Sequence, residues 1–544
     1  MSKGKSKRQA KQDERNIKLL NNVIEGKTQI GAYEEPKKKT AQANRKGGAA
    51  PTDDAEEEMM GRYARFLRIL LPGIIAKLSQ IEDPRDSKKV KHSLPVLMLF
   101  GILIFLSHCA SRRSANRDIA HSSVISMIQE FVPGVNEMPH ADTLARLLGG
   151  IEVDEIDIYY EEMVKGFVNS KQVKEIQTGP FRVAVDGTQK FSRKYKWDER
   201  ALSRNADDEE KQRYFVYVLE STLILNNGLT LPLLTEILEN KSATQEGPFS
   251  QAELDGSPAP IGSHGGKDYK NAKASEKEQK QDCESKAFLR LSERLAKLLG
   301  KGCVSVVLDG LYATGPIISR CNEYGWDYMI TLKRDSLKTV WEDFNGLRKI
   351  ETENTAQVRW GQRQQEYNWS NGLEYTYGKN HRRLNLNLVT CTETWTEEHP
   401  RSGKKPKIMT TEYAWLSSKR ITAKNAFELC TVIARSRWSI ENLFLKAKHQ
   451  GYSYSHCFSY NWKVMKGFHY LMKFGLFLNA LIAYSESLST YVQVEGQRGF
   501  VKTIWKKITD GKWPPCETID CTQKGVTVST SIQKIKYPPL IKAA

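Results

Sequence analysis

From Gly61 to about Gly166, apolar side chains return every three or four residues, as in Phe66, Ile69, Leu70, Ile74, Ile75 and Leu78. That spacing is the period of a helix with one buried stripe, so this part is predicted to be all-helical. The longest apolar run, Leu94 to Leu106, falls short of the ~18 to 20 residues needed to cross a bilayer and predicts a buried helix. Asn116 to Ile128 and Pro139 to Leu148 predict two more helices, the second with Asp142 as its N-cap. The pair admits two readings: a helix-turn-helix variant with Arg146 facing DNA, or two packed helices of a bundle.

After Pro180 the period changes. Phe181-Arg-Val-Ala-Val-Asp186 is a short β-branched run ending in an acid, and Tyr214 to Leu225 and Leu229 to Leu238 follow as strands around the turn signal Asn226-Asn-Gly228. These three predict an antiparallel meander. An amphipathic helix, Glu284 to Leu299, carries Ala287, Phe288, Leu291, Leu295 and Leu298 on one stripe. It leads into Cys303-Val-Ser-Val-Val-Leu-Asp309, a continuous apolar strand of the buried parallel kind that again ends in an acid. A helix from Gly315 to Tyr324 and a strand from Asp327 to Lys333 complete a β-α-β-α-β order. From Asp335 to Thr411, alternating Trp, Tyr, Thr and Val with turn signals at Asn371-Gly372 and Gly378-Lys-Asn380 predict a β-rich insertion separate from the first sheet. Helix returns at Thr422 and runs to Tyr484.

Two polar stretches separate or flank these elements. Residues 1–58 are rich in Lys, Gln, Asn, Ala and Gly and hold few large apolar side chains, so burial cannot offset ordering; they read as a flexible basic arm. Residues 240–282 read as a mobile loop. Met1 to Arg15 is basic, with no apolar run behind it to make a secretory signal.

Charge narrows the partner class. The 544 residues carry 82 Lys and Arg against 64 Asp and Glu, a net +18, which favours a polyanion, nucleic acid first. Nine cysteines and no CxxC pair argue against a secreted disulfide framework and for a reducing, cytoplasmic setting. Cys516 and Cys521, or His456 with Cys457, find no second ligand pair to complete a zinc site.

Asp186 and Asp309 each follow an apolar strand and precede a glycine, so both carboxylates are placed to point at one sheet edge. Hard oxygen donors of this kind suit Mg²⁺ or Mn²⁺, and two such ions suit phosphodiester cleavage. In Ala434-Arg-Ser-Arg-Trp-Ser-Ile-Glu-Asn-Leu-Phe-Leu-Lys-Ala-Lys448, Arg437, Glu441 and Lys448 are spaced by four and seven residues and fall on one helix face. A bland reading of that helix is a surface Arg–Glu pair beside a solvated lysine.

Taken together, these motifs resemble the DDE transposases of bacterial insertion sequences, in particular the IS4 superfamily and its ISAs1-like group. Ala184-Val-Asp186-Gly resembles the strand of the first aspartate and Val307-Leu-Asp309-Gly-Leu-Tyr312 that of the second. Arg437-x3-Glu441-x6-Lys448 matches the Y-x2-R-x3-E-x6-K signature, with Ala434 where the family has tyrosine. Asp83-Pro-Arg85, His92-Ser-Leu and Pro139 to Leu148 resemble the helical segment that precedes the catalytic domain in the ISAs1-like group.

The resemblance implies an α/β chain with an RNase H-like catalytic domain (176–334 and 412–484), a β-rich insertion (335–411), an all-helical DNA-binding segment before it (59–175), and a C-terminal region of unassigned role (485–544). It implies Asp186, Asp309 and Glu441 as catalytic, metal-binding acids for Mg²⁺ or Mn²⁺, two ions in all. Arg437 and Lys448 are read as phosphate contacts; Lys333 and Arg334, at a strand end close to the acids, admit two readings, phosphate contacts or solvated charges. Trp369 is the candidate for stacking on a flipped base, set against a packing role. Expected partners are double-stranded DNA, as transposon ends and target, and a second copy of the chain in a synaptic dimer, in a bacterial cytoplasm near the nucleoid, with no membrane. A nuclease without strand transfer and a non-catalytic DNA-binding derivative are the competing classes.

Overall fold

Beyond Pro180 the apolar runs build one mixed sheet of ten strands. The structure, a computed structural model, describes residues 53–205, 208, 210–240, 282–399 and 404–515. The strands are β1 (Phe181–Arg193), β2 (Leu202–Arg204), β3 (Arg213–Ile224), β4 (Thr230–Leu238), β5 (Val304–Leu308), β6 (Asp327–Thr331), β7 (Thr355–Trp360), β8 (Arg363–Tyr377), β9 (Arg382–His399) and β10 (Lys404–Ser417). Their order is β2-β3-β1-β5-β6-β10-β9-β8-β7, with β4 also paired to β3. β1 and β3 are antiparallel, whereas β5 is parallel to both β1 and β6. The wholly buried β5 is the apolar strand expected from its sequence.

The chain divides into two compact units. The first comprises the described residues up to Gln177, Asn226–Leu231 and the chain from Phe444; the second comprises Thr178–Leu225 and Pro232–Leu443 and holds the sheet.

The helical unit follows the predicted period. Its centre is Leu94–Leu106, buried at every position but Pro95, which packs against Asp53–Leu78, Ala141–Gly150 and Trp462–Tyr484. Glycine permits that last approach: a Cβ on Gly475 would stand 2.6 Å from that of Phe105. Within the same unit, Lys473 and Asp157 form a buried ion pair at 2.6 Å. The C-terminal helices Ser489–Glu495 and Gln497–Thr509 close over the first helix, with Tyr63 and Phe500 edge to face at 6.2 Å. Among the described residues no helix is long and apolar enough to cross a membrane.

Several boundaries differ from the sequence expectation. Residues 444–484 pack with the helical unit, because Trp462–Tyr484 is apolar on most of its surface and buries it against other helices. The block expected as a separate insertion continues the first sheet, since β10 pairs antiparallel with β6 from Trp415↔Thr331 to Ser417↔Met329. It also contains a helix, Lys338–Leu347. Asn371-Gly372 is a bulge inside β8, with Gly372 at φ +78° absorbing the register shift. The expected helix from Asn116 to Ile128 is two, Arg112–Asp118 and Ser122–Phe131, and the next helix is capped by His140 rather than Asp142. Arg146 donates to Thr143 on its own helix. Residues 53–58 begin the first helix; the rest of the expected arm, and all but the ends of the 240–282 loop, lie outside the described residues.

Candidate active site

Asp186 and Asp309 are brought together by register. The parallel pairing of β1 with β5 ends at Val185↔Leu308, and the next residue on each strand is the aspartate. β5 stops there: the Asp309 carboxylate accepts the Gly310 N–H and caps the short turn Gly310–Tyr312. β1 does not stop. It stays paired to β3 from Asp186↔Glu220 to Arg193↔Tyr214, so the expectation of a strand ending at Asp186 is corrected. The absent side chain of Gly187 serves a close approach instead of a turn, since a Cβ there would stand 2.5 Å from Tyr217 Cε1 and 2.7 Å from Glu284 Cδ.

The third acid arrives on an irregular helix. A π-helical turn, Glu428–Ile433, passes into a 3-10 turn, Ala434–Arg437, and then into the helix Trp438–His449. The 3-10 turn packs against β1, β5 and β6. It places Arg437 Nη1 3.6 Å from Asp186 Oδ2 and Nη2 2.8 Å from Glu441 Oε1. One guanidinium thus joins two of the three acids, which is more than the bland i, i+4 pair.

Electrostatics follow from the enclosure. Burial pushes the Asp186 carboxyl up to about 7; the Arg437 charge opposes this, while Glu284 and Asp309 add to it. Glu284, which the sequence reading passed over, is buried beneath the site. Tyr217 and Tyr312 each donate a hydroxyl to it at 2.8 Å, and burial raises its carboxyl above the usual range despite them. A signal was available, because Glu284 lies on the same stripe as Phe288, Leu291 and Leu295, where an acid is out of place.

The remaining candidates separate. The aliphatic stem of Lys333 lies against Gly310, 3.0 Å from where its Cβ would stand, and so next to Asp309. Arg334 is committed elsewhere, bonding both oxygens of Glu412 at 2.6 Å and lying over the Trp341 ring at 4.0 Å. Trp369 is 5% exposed, on β8 opposite Val389, and has no face for a base; it packs in the core. Lys448 falls in the part of its helix that belongs to the helical unit, near the rings of Phe444 and Tyr454.

The donor set suits a hard divalent cation, with carboxylate oxygens and one raised acid whose charge a cation would relieve. Among the described residues no three His, Cys, Asp or Glu side chains close around one point, Arg437 standing between Asp186 and Glu441.

Two segments of the chain match known protein families. Residues 276–474 match the family described as Transposase DDE domain, and residues 75–162 match the one described as DDE_Tnp_1-associated. Asp309, Arg437, Glu441 and Lys448 fall inside the first match, and Asp186 lies before it. No curated protein matches the chain. The two matches together span more than half of the 544 residues, and the chain belongs to the DDE transposases.

Proposed function

We propose that this transposase is an insertion-sequence enzyme of the IS4 superfamily, ISAs1-like, that cuts DNA at the element ends and joins the freed 3′ ends to target DNA. The observation that carries this reading is the last parallel pair of β1 and β5, which sets Asp186 beside Asp309, with Arg437 linking Asp186 to Glu441. The order β4-β3-β1-β5-β6, antiparallel at β3–β1 and parallel at β1–β5–β6, supports an RNase H-like core.

Asp186, Asp309 and Glu441 would hold Mg²⁺ or Mn²⁺, two ions in all, through hard carboxylate oxygens. When bound, such ions supply charge neutralisation and Lewis-acid polarisation at the scissile phosphodiester. The chain's own groups do the rest. Strand β1 and the capped turn after β5 hold two acids rigidly, so little reorganisation is needed at the moment of reaction. Arg437 exchanges part of its carboxylate pairing for a phosphate oxygen, a bidentate partner of the same geometry. Lys333 adds a cation beside Asp309, and Lys448 contributes through the signature it completes. The net +18 of the chain draws the DNA in against the acids. Joining two ends calls for a second copy in the synaptic complex.

The test is a strand-transfer assay. Labelled DNA from either side of the coding region, with the terminal 3′-hydroxyl already exposed, is incubated with supercoiled plasmid and Mn²⁺. Covalent transfer of label to the plasmid is expected. Cleavage of uncut ends without any transfer would make the protein a nuclease, and DNA binding with neither reaction a non-catalytic derivative.

A further inference from the structure

Glu284 ties β3, the strand paired with that of Asp186, to the turn that follows Asp309. It opens the helix Glu284–Leu299 and is 6% exposed. Oε1 accepts from Tyr217 on β3 and Oε2 from Tyr312, three residues beyond Asp309. Each carboxyl oxygen thus accepts one tyrosine hydroxyl. Among the described residues no Lys, Arg or His forms an ion pair with it, so its burial rests on two neutral hydroxyls. Uncompensated burial of an acid is costly, and an apolar residue on this stripe would pack without that cost.

The location explains why an acid stands here. Successive side chains of a strand point to opposite faces, so Gly187 faces the Glu284 helix and Asp186 faces Arg437. Glu284 therefore lies behind Asp186, and the glycine lets it come close. Its charge acts on both strand acids from beneath, and its two tethers fix the Asp309 turn relative to β3.

We propose that Glu284 is a positioning residue: through Tyr217 and Tyr312 it holds the Asp309 turn in register with Asp186, and its negative charge strengthens the grip of those two acids on a divalent cation. This rests on the metal-dependent reading above. It does not touch the cation or the DNA.

The experiment is a Mn²⁺ titration of the full-length chain, read by the electron paramagnetic resonance of free Mn²⁺, with melting temperatures alongside. Glu284→Gln keeps the shape and an acceptor but removes the charge. It is expected to melt near the native temperature and to bind Mn²⁺ about tenfold more weakly, as loss of a supporting carboxylate does. Asp309→Ala separates the two claims. If it binds Mn²⁺ like the native chain, the metal-dependent reading fails. If it loses binding while Glu284→Gln binds like the native chain, only the role of Glu284 is overturned. Should Glu284→Gln not fold, Tyr312→Phe keeps the acid and removes one tether; a loss of about tenfold supports the proposal, and no change overturns it.

Discussion

Val185 and Leu308 form the last parallel pair between β1 and β5, and the residue after each is an aspartate. Two residues 123 positions apart (309 − 186) thereby share one sheet edge without any loop having to position them. One strand continues past its acid and the other ends at it, so Asp186 is held by a β-ladder and Asp309 by a cap.

Asp186 should leave a mark on the pH dependence of stability. Its folded-state pKa is raised from 3.8 to about 7, so the native state holds the proton more tightly than the unfolded chain does. The stabilisation is full below about pH 4 and is lost as pH rises through about 7. Asp186→Asn has no proton to lose. In buffer free of divalent cations it is expected to be more stable than the native chain above pH 7, by about 4 kcal/mol, with the difference closing below pH 4. Denaturant unfolding at pH 4 and pH 8 measures it.

Arg437 is expected to matter more for reaction than for folding. Its guanidinium is shared between Asp186 and Glu441, and a phosphate can take either place. Arg437→Ala should lower cleavage by about a hundredfold or more. Arg437→Lys, lacking the fork, should recover only part of it. Single-turnover cleavage rates at saturating DNA distinguish this from weaker binding.

Glu393 is a structural test of the same region. It is fully buried on β9, pairs with Arg363 at 2.8 Å and also bonds Arg435 and Gln365. Arg435 lies two residues before Arg437 in the 3-10 turn, with its guanidinium over the rings of Trp360 and Tyr413. Glu393→Ala leaves these cations without their counter-charge, at a cost of about 3 to 5 kcal/mol. For a unit of this size that is a fall in Tm on the order of 10 °C, readable by calorimetry.

Apart from the three-residue β2, the strand and helix order through β6 was legible because each longer element carries its own period. Glu284–Leu299 falls where its stripe begins and ends, and β5 where its apolar run does. Pairing across long separations was not. Nothing local in Trp415 to Ser417 indicates that β10 joins β6, which makes the expected insertion part of one sheet. Asn371-Gly372 carries a hairpin signal that the chain uses as a bulge. At the site, Asp186, Asp309, Arg437 and Glu441 were visible from their motifs, while burial decided the rest, removing Trp369 and adding Glu284. Burial depends on what packs above a residue, and a single chain of letters shows it only indirectly, as with an acid on an apolar stripe.

Cleavage of end DNA by the native chain and by Asp309→Ala, side by side with Mg²⁺ or Mn²⁺, tests the central claim most directly. The substrate is the DNA flanking the coding region on each side. Nicking by the native chain that needs the added ion and falls at least a thousandfold, on the order of the loss of a catalytic group, in Asp309→Ala is the predicted result; equal cleavage by both chains would contradict it.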